Sequence, residues 1–390
     1  MQEDQFDVVI TGGGMVGAAL ACGLARHQFR VAVIDHQLPR PFDPASLPDV
    51  RISAIGAASV GLLNELEVWD AVQAMRCTPY RRLETWEWQN AHAVFDAASL
   101  GLPELGYMVE NSVLQSALWH KMQSQDITLL CPASVTSASY NGQYWQLTLQ
   151  SGQQLTTRLW VGADGANSKV RQLAGIGVNG WDYSQSCMLI SAECENPPGD
   201  STWQQFTPQG PRAFLPLHDN YASLVWYDSP ARIRQLSRLP LSQLNQQVAS
   251  HFPDRLGKVT VLGCGAFPLT RRHATGYVRP GLALVGDAAH TINPLAGQGV
   301  NLGYRDVDGL IDVLAEARKA GCDWWQSEVL NRYQRKRYKD NLLMQSGMDL
   351  FYLAFSNRSH PLMLARNLAL MAAQRGGWLK KKALSYALGL

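Results

Sequence analysis

Three glycines and an acid carry the first chemical signal in this chain. Gly12, Gly14 and Gly17 stand in the spacing G-x-G-x-x-G, with Met15 and Val16 between the second and third. In a strand-turn-helix setting the first glycine permits a tight turn. The second lets backbone approach a pyrophosphate, and the third lets helix pack close to strand. The phosphates then sit at a helix N-terminus, where free N–H groups and the dipole favour an anion. Asp35 follows the last glycine by 18 residues (35 − 17 = 18), close to the ~20 at which an acid accepts from a ribose hydroxyl. A glycine turn without a ligand is the plainer reading. The apolar run before the glycines, the helix pattern after them and Asp35 in place favour the dinucleotide. FAD and NAD(P) share the adenosine diphosphate end that this pattern recognises.

Two further segments repeat the order strand, Gly, Asp, helix. Residues 162–171 read GADGANSKVR, with Asp164 and Gly165. Residues 286–303 read GDAAHTINPLAGQGVNLG, with Gly286 and Asp287. An Asp at a strand end can accept from sugar hydroxyls; taken singly, each is equally an Asp-capped loop. Gly297 and Gly299 would let a flat ring lie against backbone, with a helix starting near Gln298 aimed at negative charge on that ring. They are not a second fingerprint, because Leu302 stands where a third glycine is needed. His290 reads as a structural histidine at a helix start. His218 is a candidate for activating a substrate hydroxyl. Seven scattered cysteines include no CxxC pair or Cys/His cluster with metal spacing. They read as reduced, buried thiols in a cytoplasmic setting, and no metal is expected.

The elements that must position these residues form an α/β fold. Residues 6–10 and 31–35 read as buried strands around a helix from about Met15. Residues 60–75 and 110–124 read as helices. Trp145, Leu147 and Leu149 alternate with polar residues toward a turn at Gly152, and a strand runs up to Val161. Short β-like runs at 187–192, 213–217, 221–227 and 259–262, with a helix near 241–252, read as an inserted, mostly antiparallel sheet. Leu282 to Val285 is one more buried strand. Val307, Leu310, Ile311 and Leu314 mark one helix face that should stop near Gly321. The expected division is a discontinuous Rossmann-like nucleotide domain (1–75, 108–180 and 278–330), a substrate domain (76–107 and 181–277) and a C-terminal helical segment (331–390).

Composition bounds the rest. The 390 residues are 46% hydrophobic and 17% charged, enough to bury a core. A formal charge of +2 argues against nucleic acid as a partner. The uncharged run from Val8 to Ala25 contains Gly12, Gly13, Gly14 and Gly17 and follows an acidic start. It is therefore expected to be neither signal peptide nor membrane helix.

The fingerprint with Asp35, the Asp164-Gly165 segment and the Gly286-to-Gly303 segment occur in an order that resembles the FAD-dependent aromatic hydroxylases, typified by para-hydroxybenzoate hydroxylase. The stretches DVRISAI (49–55), GADGANSKVR and GDAAHTINPLAGQGVNLG are most similar to the bacterial ubiquinone-biosynthesis hydroxylases. The resemblance covers nearly the whole chain. It implies FAD held by Gly12, Gly14, Met15, Val16 and Gly17, with Asp35 at the adenosine ribose, where the family usually has Glu. It implies Arg51 by the phosphates or ribityl chain, Gln115 near the flavin, and Asp164-Gly165 bracing FAD and a passing nicotinamide. Gly286 and Asp287 would bind the ribityl or phosphate side. Pro294, Leu295, Ala296, Gly297, Gln298, Gly299, Val300 and Asn301 would line the isoalloxazine. NADPH or NADH would reduce the flavin transiently, O₂ would form a flavin C4a-hydroperoxide, and one oxygen would pass to the ring of a polyprenylated quinol or phenol. A related flavin oxidase or reductase on another lipid, and a non-catalytic FAD-bearing subunit of a ubiquinone-biosynthesis protein complex, stay open as alternatives.

Trp86, Trp88, Tyr107, Phe206, Phe214 and Trp226 form a pool of candidates for an apolar substrate cleft. The C-terminal stretch HPLMLARNLALMAAQRGGWLKKKAL (360–384) reads equally as helices packed on the FAD domain and as a peripheral contact with a membrane or partner. Oligomeric state has no signature.

Overall fold

The computed structural model of the protein describes residues 5–88, 90–292, 299–355, 360–374 and 377–388. Its first sheet is built on parallel strands. Gln5–Thr11 lies between Gln154–Gly162 and Val31–Ile34 and runs parallel to both. Val8, Val9 and Ile10 are fully buried, as expected of a parallel strand covered on both faces. Ile127–Leu130 continues the sheet on one side and Leu282–Leu284 on the other.

The helix Met15–Arg26 connects Gln5–Thr11 to Val31–Ile34. Residues 17–24 of it are all buried, because it is covered by the helices Asn111–Gln123 and Gly299–Lys319. Val307, Leu310, Ile311 and Leu314 face it as one buried stripe. The helix they belong to ends at Lys319, and Gly321 follows with φ +70°.

The second sheet is mostly antiparallel and has eight strands among the described residues. Its spine is a pair of long strands, Val178–Cys194 and Val259–Ala274, of 17 and 16 residues. Both extend well beyond the short runs expected at 187–192 and 259–262. The reason is that residues 178–182 are exposed and carry no apolar alternation. Pairing with residues 270–274 holds them in the sheet, and hydrogen bonds to a partner are not written in local sequence. From Val178–Cys194 the sheet continues through Tyr221–Asp228, Arg212–Pro216, Ser201–Gln205, Arg82–Trp86 and His92–Asp96.

This sheet buries both faces. The helices Pro230–Leu236 and Leu241–His251 cover one face, packing on Met188, Ile190, Leu224 and Trp226. The alternate residues Cys187, Leu189, Val225 and Tyr227 turn to a large cavity. A small third sheet, Ile52–Gly56, Gly106–Glu110 and Thr78–Tyr80, connects the two regions. The chain closes with the helices Ser327–Phe355, His360–Gln374 and Gly377–Leu388. His360–Gln374 packs on the edge strand His92–Asp96 of the second sheet, not on the nucleotide-type sheet that one of the two readings of this stretch expects. Arg366, Asn367 and Gln374 find their partners on Glu87, Trp88 and Val94.

Candidate functional site: a glycine loop and a divided cavity

The loop between Gln5–Thr11 and Met15–Arg26 is held from several sides. Gly12 has φ +106°, and a Cβ there would fall 2.3 Å from the Ala163 carbonyl oxygen. A Cβ on Gly17 would fall 1.9 Å from the Gly12 oxygen. Both positions are closed to side chains by backbone. At Gly14 a Cβ would meet nothing within 4 Å. Gly14 caps the helix with no side-chain hydrogen bond, so the first N–H groups of the helix lack partners within it. Space and unpartnered donors coincide where a phosphate would lie.

Asp35 builds this loop. Its carboxylate accepts from Gly13 N at 2.6 Å and Gln37 N at 3.1 Å, with His36 Nδ1 2.9 Å away. On the other side Trp119 Nε1 donates to the Gly13 carbonyl at 2.7 Å, and Gln115 Nε2 reaches the same oxygen at 3.4 Å. Trp119 was missed in the sequence, since a tryptophan within a helix pattern carries no sign of its hydrogen-bond partner.

The loop opens into a cavity of about 1990 Å³, larger than the ~300–1,000 Å³ of usual ligand pockets. Met15, Val16, Asp35, Arg51 and Gln115 line its polar end, with Asp164, Gly165, Asp287, Gly299 and Val300 across from them. Asp164 also caps the short helix Lys169–Leu173, accepting from Ser168 Oγ at 2.5 Å, Lys169 N at 2.7 Å and Val170 N at 3.1 Å. The Asp-cap reading and the lining reading therefore both hold for it. Arg51 is exposed just ahead of Ile52–Gly56.

Asp287 sits in a short 3-10 turn, Gly286–Ala288, that follows Leu282–Leu284. Its side chain is accessible, but only within a wall deep in the protein. The surrounding protein raises its carboxyl above the ordinary value by desolvation, and no side-chain hydrogen bond ties it down among the described residues. The Cβ expected at Gly286 would touch Val16, which brings this turn against the glycine loop.

Asn301 is brought elsewhere. Its Oδ1 accepts from Gly56 N at 3.0 Å and Ser59 Oγ at 2.7 Å, and its Nδ2 donates to the Ala54 carbonyl at 2.7 Å. This buried side chain ties Gly299–Lys319 to the small sheet and does not reach the cavity wall. Pro294, Leu295, Ala296, Gly297 and Gln298 lie outside the described residues.

A buried network behind the site was invisible in the sequence. Asp306 is fully buried and accepts from Gly286 N at 3.0 Å, Arg337 Nε at 2.9 Å and Asn341 Nδ2 at 2.9 Å. His290 Nε2 lies 2.5 Å from its second oxygen. Burial by itself would raise the Asp306 carboxyl. The His290 ring and the Arg337 and Asn341 donors outweigh it and hold it at about 2. Asp306 thereby fixes the turn that carries Asp287. His290 is structural, as the sequence suggested, but it belongs to the two-residue strand His290–Thr291 and not to a helix start. His218 pairs loosely with Asp219 at 4.0 Å and does not line the cavity. Burial, with the Arg76 charge nearby, lowers its pKa.

The apolar end of the cavity is bounded by Leu189, Leu215, Val225, Tyr227, Phe267 and Leu269, with Leu384 and Leu388 of the last helix. None of the six aromatic candidates is among the lining residues. Trp86, Phe214 and Trp226 take the opposite sheet face, under the two covering helices. Phe206 packs on Phe355, Tyr107 on Trp69, and Trp88 is exposed. A strand's period of two shows which residues share a face; when both faces are buried it does not tell which faces the cavity.

The FAD binding domain family matches residues 5–340. The chain belongs to this family. It is 65% identical over 391 residues to the 3-demethoxyubiquinol 3-hydroxylase of Escherichia coli K12, covering 100% of both chains. It is 32% identical to the ubiquinone biosynthesis monooxygenase COQ6, mitochondrial, of Rattus norvegicus, covering 98% of this chain and 90% of that one. The p-nitrophenol 4-monooxygenase of Pseudomonas putida DLL-E4 has the same fold, with a TM-score of 0.82 at 18% identity over 99% of this chain and 98% of that one. The chain is thus an FAD-dependent monooxygenase. Its residues suit that cofactor: an uncapped helix start, an open Gly14, and a cavity with polar and apolar ends.

Proposed function

We propose that this enzyme hydroxylates the ring of a polyprenylated demethoxyquinol intermediate in ubiquinone biosynthesis, with NADPH or NADH as transient reductant and O₂ as the oxygen source. The reading rests on one finding: 65% identity from end to end with the 3-demethoxyubiquinol 3-hydroxylase. The apolar wall of the cavity supports it, because a prenylated ring needs a dry, aliphatic site.

FAD, when bound, supplies the redox chemistry, accepting electrons from the nicotinamide and activating O₂. The chain's own residues do the rest. The loop of Gly12 to Gly17 and the N–H groups of Met15–Arg26 would hold the pyrophosphate. Asp35 keeps that loop in shape and would accept from the adenosine ribose. Arg51, Gln115, Asp164-Gly165 and Asp287 line the cavity and would hold the remainder of the cofactor. The start of Gly299–Lys319 borders the cavity and would offer its positive end to negative charge on the flavin. Leu189, Leu215, Val225 and Phe267 orient the ring and exclude water.

The test uses the purified, flavin-loaded protein with a demethoxyquinol of short prenyl tail. The expected result is nicotinamide oxidation that depends on the quinol, with one ¹⁸O atom from ¹⁸O₂ in the product. Oxidation that yields only hydrogen peroxide, with the quinol recovered unchanged, would overturn the reading. Quinone profiling of cells lacking the protein gives an independent check, since the demethoxy intermediate should accumulate.

A further inference from the structure

The last half of Ser327–Phe355 and the helix His360–Gln374 are inside out. Asp349 faces inward, where Arg271 Nε meets it at 2.8 Å and Tyr183 donates to it. Gln345 also points inward, donating to the Arg272 and Thr291 carbonyls. On the next helix Arg366 pairs with Glu87 at 2.7 Å, and Asn367 donates to the same carboxylate at 2.6 Å. The outward positions are apolar. Leu343, Leu350 and Leu353 are 65%, 70% and 64% exposed, and Leu362, Leu364 and Leu368 are 55%, 51% and 54% exposed. Among the described residues of 342–372 no exposed side chain is Asp, Glu, Lys or Arg.

We infer that these two helices form a membrane-docking surface that rests in the headgroup and upper acyl region of an anionic bilayer. A concentration of exposed apolar side chains of this kind marks an interaction site, and three features favour lipid as its occupant. First, the exposed side chains described at 342–372 include no Asp, Glu, Lys or Arg, so setting them into the upper acyl region strips no such ion of its water. Second, Lys381 and Lys382 are exposed on the next helix, placing positive charge beside it for acidic headgroups. Third, the face lies directly over the substrate end of the cavity. Tyr352 and Met348, on the inner side of the same helix, pack in one cluster with Cys187, Val225, Tyr227 and Leu269, which line that cavity. Leu384 and Leu388 of the following helix are themselves part of its wall. Among the described residues no helix is long and apolar enough to cross a membrane, so the contact is peripheral. The third feature draws its meaning from the quinol reading, since a polyprenylated substrate resides in the bilayer. The first two are independent of it.

The experiment is co-sedimentation of the flavin-loaded, full-length protein with vesicles of phosphatidylethanolamine and phosphatidylglycerol. Three proteins are compared: wild type, L350Q/L353Q/L364Q/L368Q, and K381E/K382E. All altered positions are exposed, and far-UV dichroism with the melting temperature verifies that each variant is folded. Wild type is expected to bind. The leucine variant should lose at least tenfold in partitioning and keep its turnover of a short-tail quinol. The lysine variant should lose binding more in low salt than in high salt. Absence of wild-type binding to these vesicles would overturn the proposal. So would a concentration-dependent dimer that the leucine changes abolish, since the face would then belong to a second copy. Sedimentation needs no turnover, so failure of the quinol reading leaves this result intact.

Discussion

Replacing Gly14 with valine separates the glycine loop's role in binding from its role in folding. Gly14 has φ −68° and ψ −177°, a conformation open to any residue, and its Cβ would meet nothing within 4 Å. Valine is a poorer helix N-cap than glycine, by several tenths of a kcal/mol. Against that, removing a glycine lowers the entropy of the unfolded chain, which stabilises by ~0.4–1 kcal/mol. The two nearly cancel, so the apoprotein's stability should change by no more than about 0.5 kcal/mol. Binding should respond differently. The new side chain stands where backbone must approach the pyrophosphate. Loss of one or two charge-assisted hydrogen bonds, at ~1.5–3 kcal/mol each, weakens FAD by about 10- to 10⁴-fold. Urea unfolding of the apoprotein measures the first quantity, and titration of FAD by fluorescence quenching measures the second. Gly17→Ala is the contrasting variant: its methyl would lie 1.9 Å from the Gly12 oxygen, so folding itself should suffer. A Gly14→Val protein that binds FAD within threefold of wild type would refute the placement of the pyrophosphate at this loop. A loss of stability beyond about 2 kcal/mol would refute the open space at Gly14.

Three other variants probe the site and its support. Asp287→Ala should weaken FAD while leaving the melting temperature near wild type, because the carboxylate is accessible to the cavity and untied; unchanged affinity removes Asp287 from the site. Asn301→Ala should destabilise the fold by ~1–3 kcal/mol through its unpaired buried partners, with FAD affinity in the folded fraction preserved, as chemical denaturation and flavin titration together will read. Asp306→Asn should cost about 2 kcal/mol at pH 7 by removing the buried carboxylate charge that His290 and Arg337 share, with Arg337 keeping Asp340 as its other ion partner. The pH dependence follows from a depressed carboxyl: held at about 2 against an ordinary 3.8, Asp306 contributes about 2 kcal/mol that is fully present above the unfolded value and lost as pH falls toward 2. The stability gap between wild type and Asp306→Asn should therefore narrow between pH 5 and pH 2.5, and a gap constant across that range contradicts the pairing.

What the sequence determined by itself is local and backbone-driven. G-x-G-x-x-G after an apolar run needs no distant partner to be read, because Gly12's positive φ and Gly17's contact with the Gly12 oxygen are demands of one short turn. Asp35 was likewise legible by its distance along the chain, although the structure shows it bracing Gly13. The stripe of Val307, Leu310, Ile311 and Leu314 was readable because a helix repeats every 3.6 residues. Tertiary structure alone decided the rest. The donors to Asp306 come from Gly286, His290, Arg337 and Asn341, up to 35 residues away in sequence, and a buried polar cluster has no periodicity to betray it. Trp226 and Val225 are adjacent and equally suited to a strand. The covering helices, packed from elsewhere in the chain, put the tryptophan in a core and the valine on the cavity wall. Arg366 turned inward and Leu364 outward for the same reason. Which face of an element meets solvent, ligand or core is a free energy of packing between distant segments, and it exists only once those segments have met.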